Sequence, residues 1–172
     1  MHPLVRLAKR AVELFVREGR IMTDAGELSG EMPEKAGVFV CLKKNGRLRG
    51  CVGTIRPVTA CAAQEAIRNA IASASEDPRF PPIGPHELDE IDYTVDVLQP
   101  PEKIAGPSEL DVKRYGVIVV KGERRGLLLP DLEGVDSVED QVRIAMMKAG
   151  INPSEGAEGD MEMYRFEVAR YS

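Results

Sequence analysis

The chain has 172 residues, 43 % hydrophobic and 30 % charged, with a net charge of −5 and no Trp. That length suits one domain with room for two lobes, and the balance is that of an ordinary globular protein. No run approaches the ~18 consecutive apolar residues of a membrane span, charges interrupt the apolar N-terminus where a signal peptide needs an unbroken core, and the lack of a basic patch with interleaved aromatics disfavours nucleic-acid binding, so a cytoplasmic location is the expectation.

Residues 3 to 18 read as a helix: Pro3 suits the first turn, Leu4, Leu7, Ala8, Ala11, Val12, Leu14 and Phe15 recur near helical spacing, and Gly19 stops it. Residues 20 to 36 lose the period and form a long connector. Val38–Lys43 and Arg47–Ile55 read as two strands joined at Asn45-Gly46, a strong short-range hairpin signal because both central residues of a type I′ turn need positive φ. A two-residue turn pairs Lys44 with Arg47, Leu42 with Arg49, and Val40 with Cys51. Arg47, Arg49 and Cys51 then share one face with Val40 and Leu42, while Cys41 lies on the other, opposite Gly50. In that register an intrachain Cys41–Cys51 disulfide is not expected.

Residues 59 to 75 read as an Ala-rich helix capped by Thr59, with Ala63, Ile67, Ala70, Ile71 and Ala74 as its apolar stripe. In the following Asp77-Pro78-Arg79-Phe80-Pro81-Pro82 the prolines fix φ and remove backbone donors, giving a stiff loop that aims Arg79 and Phe80. Ile91, Tyr93, Val95 and Val97 alternate with Asp92, Thr94 and Asp96 in a half-buried strand. Residues 115 to 120 and 124 to 129 form a second hairpin ending at Pro130. Ser137 and Asp140 make a capping pair for a helix over 138 to 149, which Gly150 and Pro153 terminate. Residues 161 to 170 close the chain as one strand with Tyr164, Phe166 and Val168 on one face. Three main helices and about six strands arranged in hairpins indicate an α+β fold with a mainly antiparallel sheet flanked by helices.

The cysteines are Cys41, Cys51 and Cys61, an odd number with no CxxC pair. Structural zinc and an iron–sulfur cluster are not expected, and neither another metal nor a cofactor is indicated. Two readings of Cys51 stand: a thiolate in the field of Arg47 and Arg49, approachable past Gly50 and Gly53, or a small residue packed tightly among glycines. Arg49 suits a carboxylate or phosphate clamp, against the alternative of a solvated or paired strand residue. Arg79 offers a second anchored guanidinium, and pairing with Asp77 is its structural reading. Asp92 and Asp96, on one strand face, either hold a cation or form the wet side of a sheet. His2 and His86 are the only histidines, and no Ser-His-Asp or Cys-His pattern is visible.

Taken in order, GVFVCLKKNGRLRGCVGTI, an Ala-rich helix, DPRFPP with EL soon after, GLLLP and a late KAG resemble the AMMECR domain family, known in prokaryotes as AmmeMemoRadiSam system protein A. The resemblance spans residues 4 to 170, so the chain reads as a single AMMECR domain over 1–172. It implies an α+β fold with a larger and a smaller lobe and a cleft between them. It implies a functional role for LRGCVGT, residues 48 to 54, the family signature. It implies work alongside a Memo-like protein and a radical S-adenosylmethionine protein. Asp131 stands where some members carry Gln. The chain is not itself the radical enzyme, which needs three closely spaced cysteines.

The candidate site is then Cys51 as catalytic residue, with Arg49, Gly50, Gly53, Thr54, Arg79 and Phe80 as binding residues. The leading functional reading is an interaction or substrate-presenting component. The alternative is a cysteine-dependent enzyme acting on a small anionic substrate, with Cys51 as thiolate and Arg49 or Arg79 as clamp. A third, nucleic-acid binding, rests on the local patch of Lys43, Lys44, Arg47 and Arg49.

Overall fold

A computed structural model describes residues 1–32, 34–156 and 160–172. Helix α1 spans Pro3–Glu18, with Pro3 in its first turn, His2 Nδ1 accepting the Leu4 N–H at 3.2 Å, and Gly19 left-handed at φ 67° as its C-terminal stop. Leu4, Val5, Ala8, Ala11 and Val12 are its buried stripe. The connector holds one short helix, α2, Leu28–Glu31. Strands β1, Val38–Lys44, and β2, Arg47–Gly53, form the expected hairpin, with Asn45 and Gly46 both at positive φ.

Helix α3 spans Ala62–Ser75. It starts three residues later than Thr59 suggests. The Thr59 hydroxyl does not cap it: that hydroxyl and the Thr59 N–H both donate to the Glu65 carboxylate, at 2.6 and 2.9 Å. Strand β3, Ile91–Leu98, follows, and the small side chains of α3 let it pack closely on α1 and the β1–β2 hairpin.

The second half builds β4, Glu102–Ile104; β5, Gly116–Lys121; β6, Arg124–Leu128; α4, Val138–Lys148; and α5, Pro153–Gly156. Ser137 caps α4, its hydroxyl accepting the Asp140 N–H at 3.1 Å. The segment expected as one closing strand is two: β7, Glu162–Phe166, and β8, Val168–Tyr171. They lie in different sheets, and Glu167 between them accepts the Gln99 N–H at its carbonyl. Period-2 alternation runs unbroken through Glu167 because a strand that changes sheets keeps the same side-chain period.

Two four-stranded sheets result, ordered β2-β1-β3-β8 and β4-β7-β5-β6. The fold is α+β with antiparallel sheets and flanking helices. The chain divides into two units, Met1–Leu98 with Ala169–Ser172, and Gln99–Val168. The first buries Leu4, Val12, Val40, Leu42, Ala66, Leu88 and Val95. The second buries Val117, Val119, Leu128, Ala145, Met146 and Ile151. Every candidate site residue lies in the first.

Candidate functional site

The hairpin begins in the expected register, Lys44 opposite Arg47, and then departs from it. Lys43 faces Leu48, but Leu42 faces Gly50, Cys41 faces Cys51, and Val40 faces Val52. Arg49 is the extra residue of a β-bulge, and every later pair is displaced by one. The expected pairing of Cys51 with Val40 is therefore wrong. Val38, Val40 and Leu42 are buried in the core, while Phe39 and Cys41 belong to the opposite face of β1. Cys41 and Cys51 form a disulfide with Cα atoms 4.1 Å apart, correcting the expectation that they could not pair. While that bond is in place, Cys51 has no thiolate to offer.

The bulge is held from outside the hairpin. Arg49 Nε and Nη2 donate to the two Glu87 oxygens at 3.1 and 3.0 Å, and Nη1 and Nη2 donate to the Pro81 and Pro82 carbonyls at 2.8 and 3.3 Å. Its guanidinium fixes the Pro-rich loop to the strand, and an anionic ligand would have to displace Glu87. Arg79 is likewise taken by Asp77: Nε donates to Oδ1 at 3.0 Å and Nη2 to Oδ2 at 2.8 Å. Asp77 is only 5 % exposed and its Oδ2 also accepts the Cys51 N–H at 2.9 Å, while Arg79 reaches the Cys51 carbonyl at 3.3 Å. The loop thus closes the edge of β2 at Cys51. The Arg79 guanidinium lies 5.5 Å from the centre of the Phe80 ring.

The glycines are packing positions. A Cβ on Gly50 would collide with the Ser73 carbonyl oxygen of α3, and one on Gly53 with the Phe39 ring. The space a substrate would need at those two residues is filled by the protein. Thr54 donates to Glu65 at 2.5 Å and accepts from Asn69 at 3.1 Å.

Sequence reasoning missed the stripe that organises this region. Glu65, Asn69 and Ser73 follow one another at four-residue intervals inside an Ala-rich helix, and Asp77 continues the spacing just beyond it; that run of buried polar residues was the available signal. Asn69 donates to the Val38 carbonyl at 2.8 Å. The Ser73 hydroxyl stands between β1 and β2, accepting from Val52 N–H at 2.8 Å and donating to the Val40 carbonyl at 2.7 Å. Glu65, fully buried, accepts from Thr54, Val58 and Thr59. Burial by itself would raise its pKa, but the Thr54 and Thr59 hydroxyls and the Thr59 and Val58 N–H groups outweigh that and hold it below the usual value.

Arg49 holds Glu87 down to about 2, against the opposing effect of burial and with help from the Gly84 N–H and Lys44. A carboxylate whose folded pKa is depressed stabilises the fold above its unfolded pKa, near 4.5, and loses that contribution as pH falls toward about 2. Glu87→Gln is therefore expected to cost roughly 2 kcal/mol at neutral pH, leaving Arg49 without its carboxylate. Urea midpoints across the acid range should show its deficit against the unaltered chain shrinking as pH drops; parallel curves would rule this out.

Asp96 is 2 % exposed and paired with Arg170, Nε to Oδ1 at 2.7 Å, while Asp92 is exposed across from Lys43. Among the described residues no group of three or more His, Cys, Asp or Glu side chains is placed to hold a metal. Lys44 pairs with Glu87 at 3.3 Å and Glu90 at 3.6 Å, so the basic patch is interleaved with acids. No helix among the described residues is long and apolar enough to cross a membrane.

The AMMECR1 family model matches residues 5–171. The chain belongs to the AMMECR1 family. It is 53 % identical to a Thermotoga maritima protein, over 99 % of this chain and 97 % of that one. It is 47 % identical to a Clostridium acetobutylicum protein over 98 % of this chain, but the match takes up only 36 % of that longer protein. The crystal structure of an uncharacterised Pyrococcus horikoshii protein superposes with a TM-score of 0.91 at 37 % identity, covering 97 % of this chain and 88 % of that one. In this AMMECR1-family chain the segment LRGCVGT, residues 48 to 54, supplies the bulge, one half of the disulfide and both packing glycines.

Proposed function

We propose that this chain is an interaction or substrate-presenting component that works with a Memo-like protein and a radical S-adenosylmethionine protein. Its working surface is the β1–β2 hairpin around Cys41–Cys51 together with the Asp77–Pro82 loop. The observation that carries this reading is the internal pairing of the reactive groups: Arg49 with Glu87, Arg79 with Asp77, and Cys51 with Cys41. Groups satisfied in this way make a rigid surface, which suits recognition by costing little order on binding. An enzyme of the alternative kind needs a free thiolate and a free cation, and here it would have to break the Cys41–Cys51 bond and one of the two Arg–carboxylate pairings. The Clostridium acetobutylicum relative, where the matching segment is joined to much further sequence, supports a module that acts next to other protein.

The test is association. The purified chain is mixed with the two companions, with and without S-adenosylmethionine, and binding is read by analytical ultracentrifugation. A complex with either companion is expected. No association under either condition overturns the reading.

A further inference from the structure

We infer that Cys41 and Cys51 form a redox-active dithiol–disulfide couple that exchanges electrons with dithiols. Three observations carry this. First, both cysteines are partly exposed, on the face of the hairpin that carries Phe39 and Lys43, whereas the third cysteine, Cys61, is free and only 4 % exposed. Thiol–disulfide exchange requires an attacking thiolate to reach a sulfur, and the chain makes that possible only at the pair.

Second, the backbone and not the bond sets the distance between the two cysteines. Leu42–Gly50 and Val40–Val52 flank the pair in register, the Ser73 hydroxyl links Val52 to Val40, and Asp77 and Arg79 grip the Cys51 N–H and carbonyl. With the sulfurs reduced, these contacts still hold Cys41 beside Cys51. Both oxidation states fit one fold, and the dithiol stays poised to close again.

Third, the bulge is what brings the two together. A regular hairpin from the same Asn-Gly turn puts Cys41 and Cys51 on opposite faces, so the groups that hold Arg49 out of register, Glu87 and the Pro81 and Pro82 carbonyls, are what create the couple.

The step balances without further reagents. One thiolate of a dithiol attacks a sulfur of the pair, forms a mixed disulfide, and releases the other cysteine as thiolate. The second thiolate of the dithiol attacks the mixed disulfide and frees the first cysteine. Two electrons pass to the pair, Cys41 and Cys51 take up two protons, and the dithiol leaves as a disulfide.

The experiment uses the isolated full chain, so it is decided independently of any companion. The native protein is incubated with dithiothreitol or with thioredoxin at equal thiol concentration, trapped at neutral pH with excess alkylating agent, and weighed intact. Two alkyl groups are expected without denaturant, with Cys61 reacting only after unfolding. Oxidised glutathione added to the reduced chain before any alkylation should restore the unalkylatable form. Faster reduction by thioredoxin assigns the partner as a protein dithiol, and faster reduction by dithiothreitol as a small one. The single variants Cys41→Ser and Cys51→Ser should each retain one glutathione per chain as a stable adduct. A pair that stays oxidised until the chain unfolds, that is reduced only together with exposure of Cys61, or that does not close again overturns the inference.

Discussion

Gly50→Ala is expected to destabilise the first unit by about 3 kcal/mol or more, the upper range for overpacking a filled site. A Cβ there meets the Ser73 carbonyl, which is helix backbone and cannot swing away as a side chain can. Relief requires moving α3 off the hairpin. That would break the Ser73 hydroxyl bridge and draw Asp77 from the Cys51 N–H. Gly30→Ala is the matched control, since nothing lies within 4 Å of its Cβ position. It should stay within about 0.5 kcal/mol of the unaltered chain. Urea unfolding of the two variants decides: equal midpoints would mean that α3 does not press on the bulge.

The second large effect belongs to Glu65. Glu65→Ala removes a fully buried carboxylate that accepts from two hydroxyls and two backbone N–H groups, and should cost about 3 kcal/mol. Glu65→Gln keeps the volume but points an NH2 group at donors, and should still cost about 2 kcal/mol. Hydrogen exchange gives a local readout, because the Val58 and Thr59 amides lose their partner and should exchange faster in both variants. A Gln variant as stable as the unaltered chain would show that the ionised carboxylate is not what organises the segment before α3.

The legible parts of this protein were local ones. The span of α1 follows from apolar spacing bracketed by Pro3 and Gly19, and the two hairpins from Asn45-Gly46 and from the apolar runs on either side of Gly122-Glu123. The pairing of Asp77 with Arg79, two positions apart, was likewise readable from the loop. What failed depended on residues far along the chain. The bulge at Arg49 rests on partners 32 to 38 positions away. One displaced residue turned the predicted face of Cys51 around, because side chains alternate with a period of two and a slip of one reverses every position after it. Whether Gly50 and Gly53 open the strand to a substrate or let other groups pack on it was decided by Ser73 and Phe39.

By itself the sequence determined the main helices, the Asn-Gly turn and the α+β class, since these follow from periodicity, capping and turn chemistry within short windows; the family was legible separately, from the resemblance carried by LRGCVGT and DPRFPP. Only the tertiary structure decided the register beyond the turn, the joining of Cys41 to Cys51, the pairing of Arg49 with Glu87, and the passage of the last ten residues from one sheet to the other. The physical reason is common to all four: each is fixed by a side chain or strand that approaches from distant sequence, and local propensity carries no information about what packs against it.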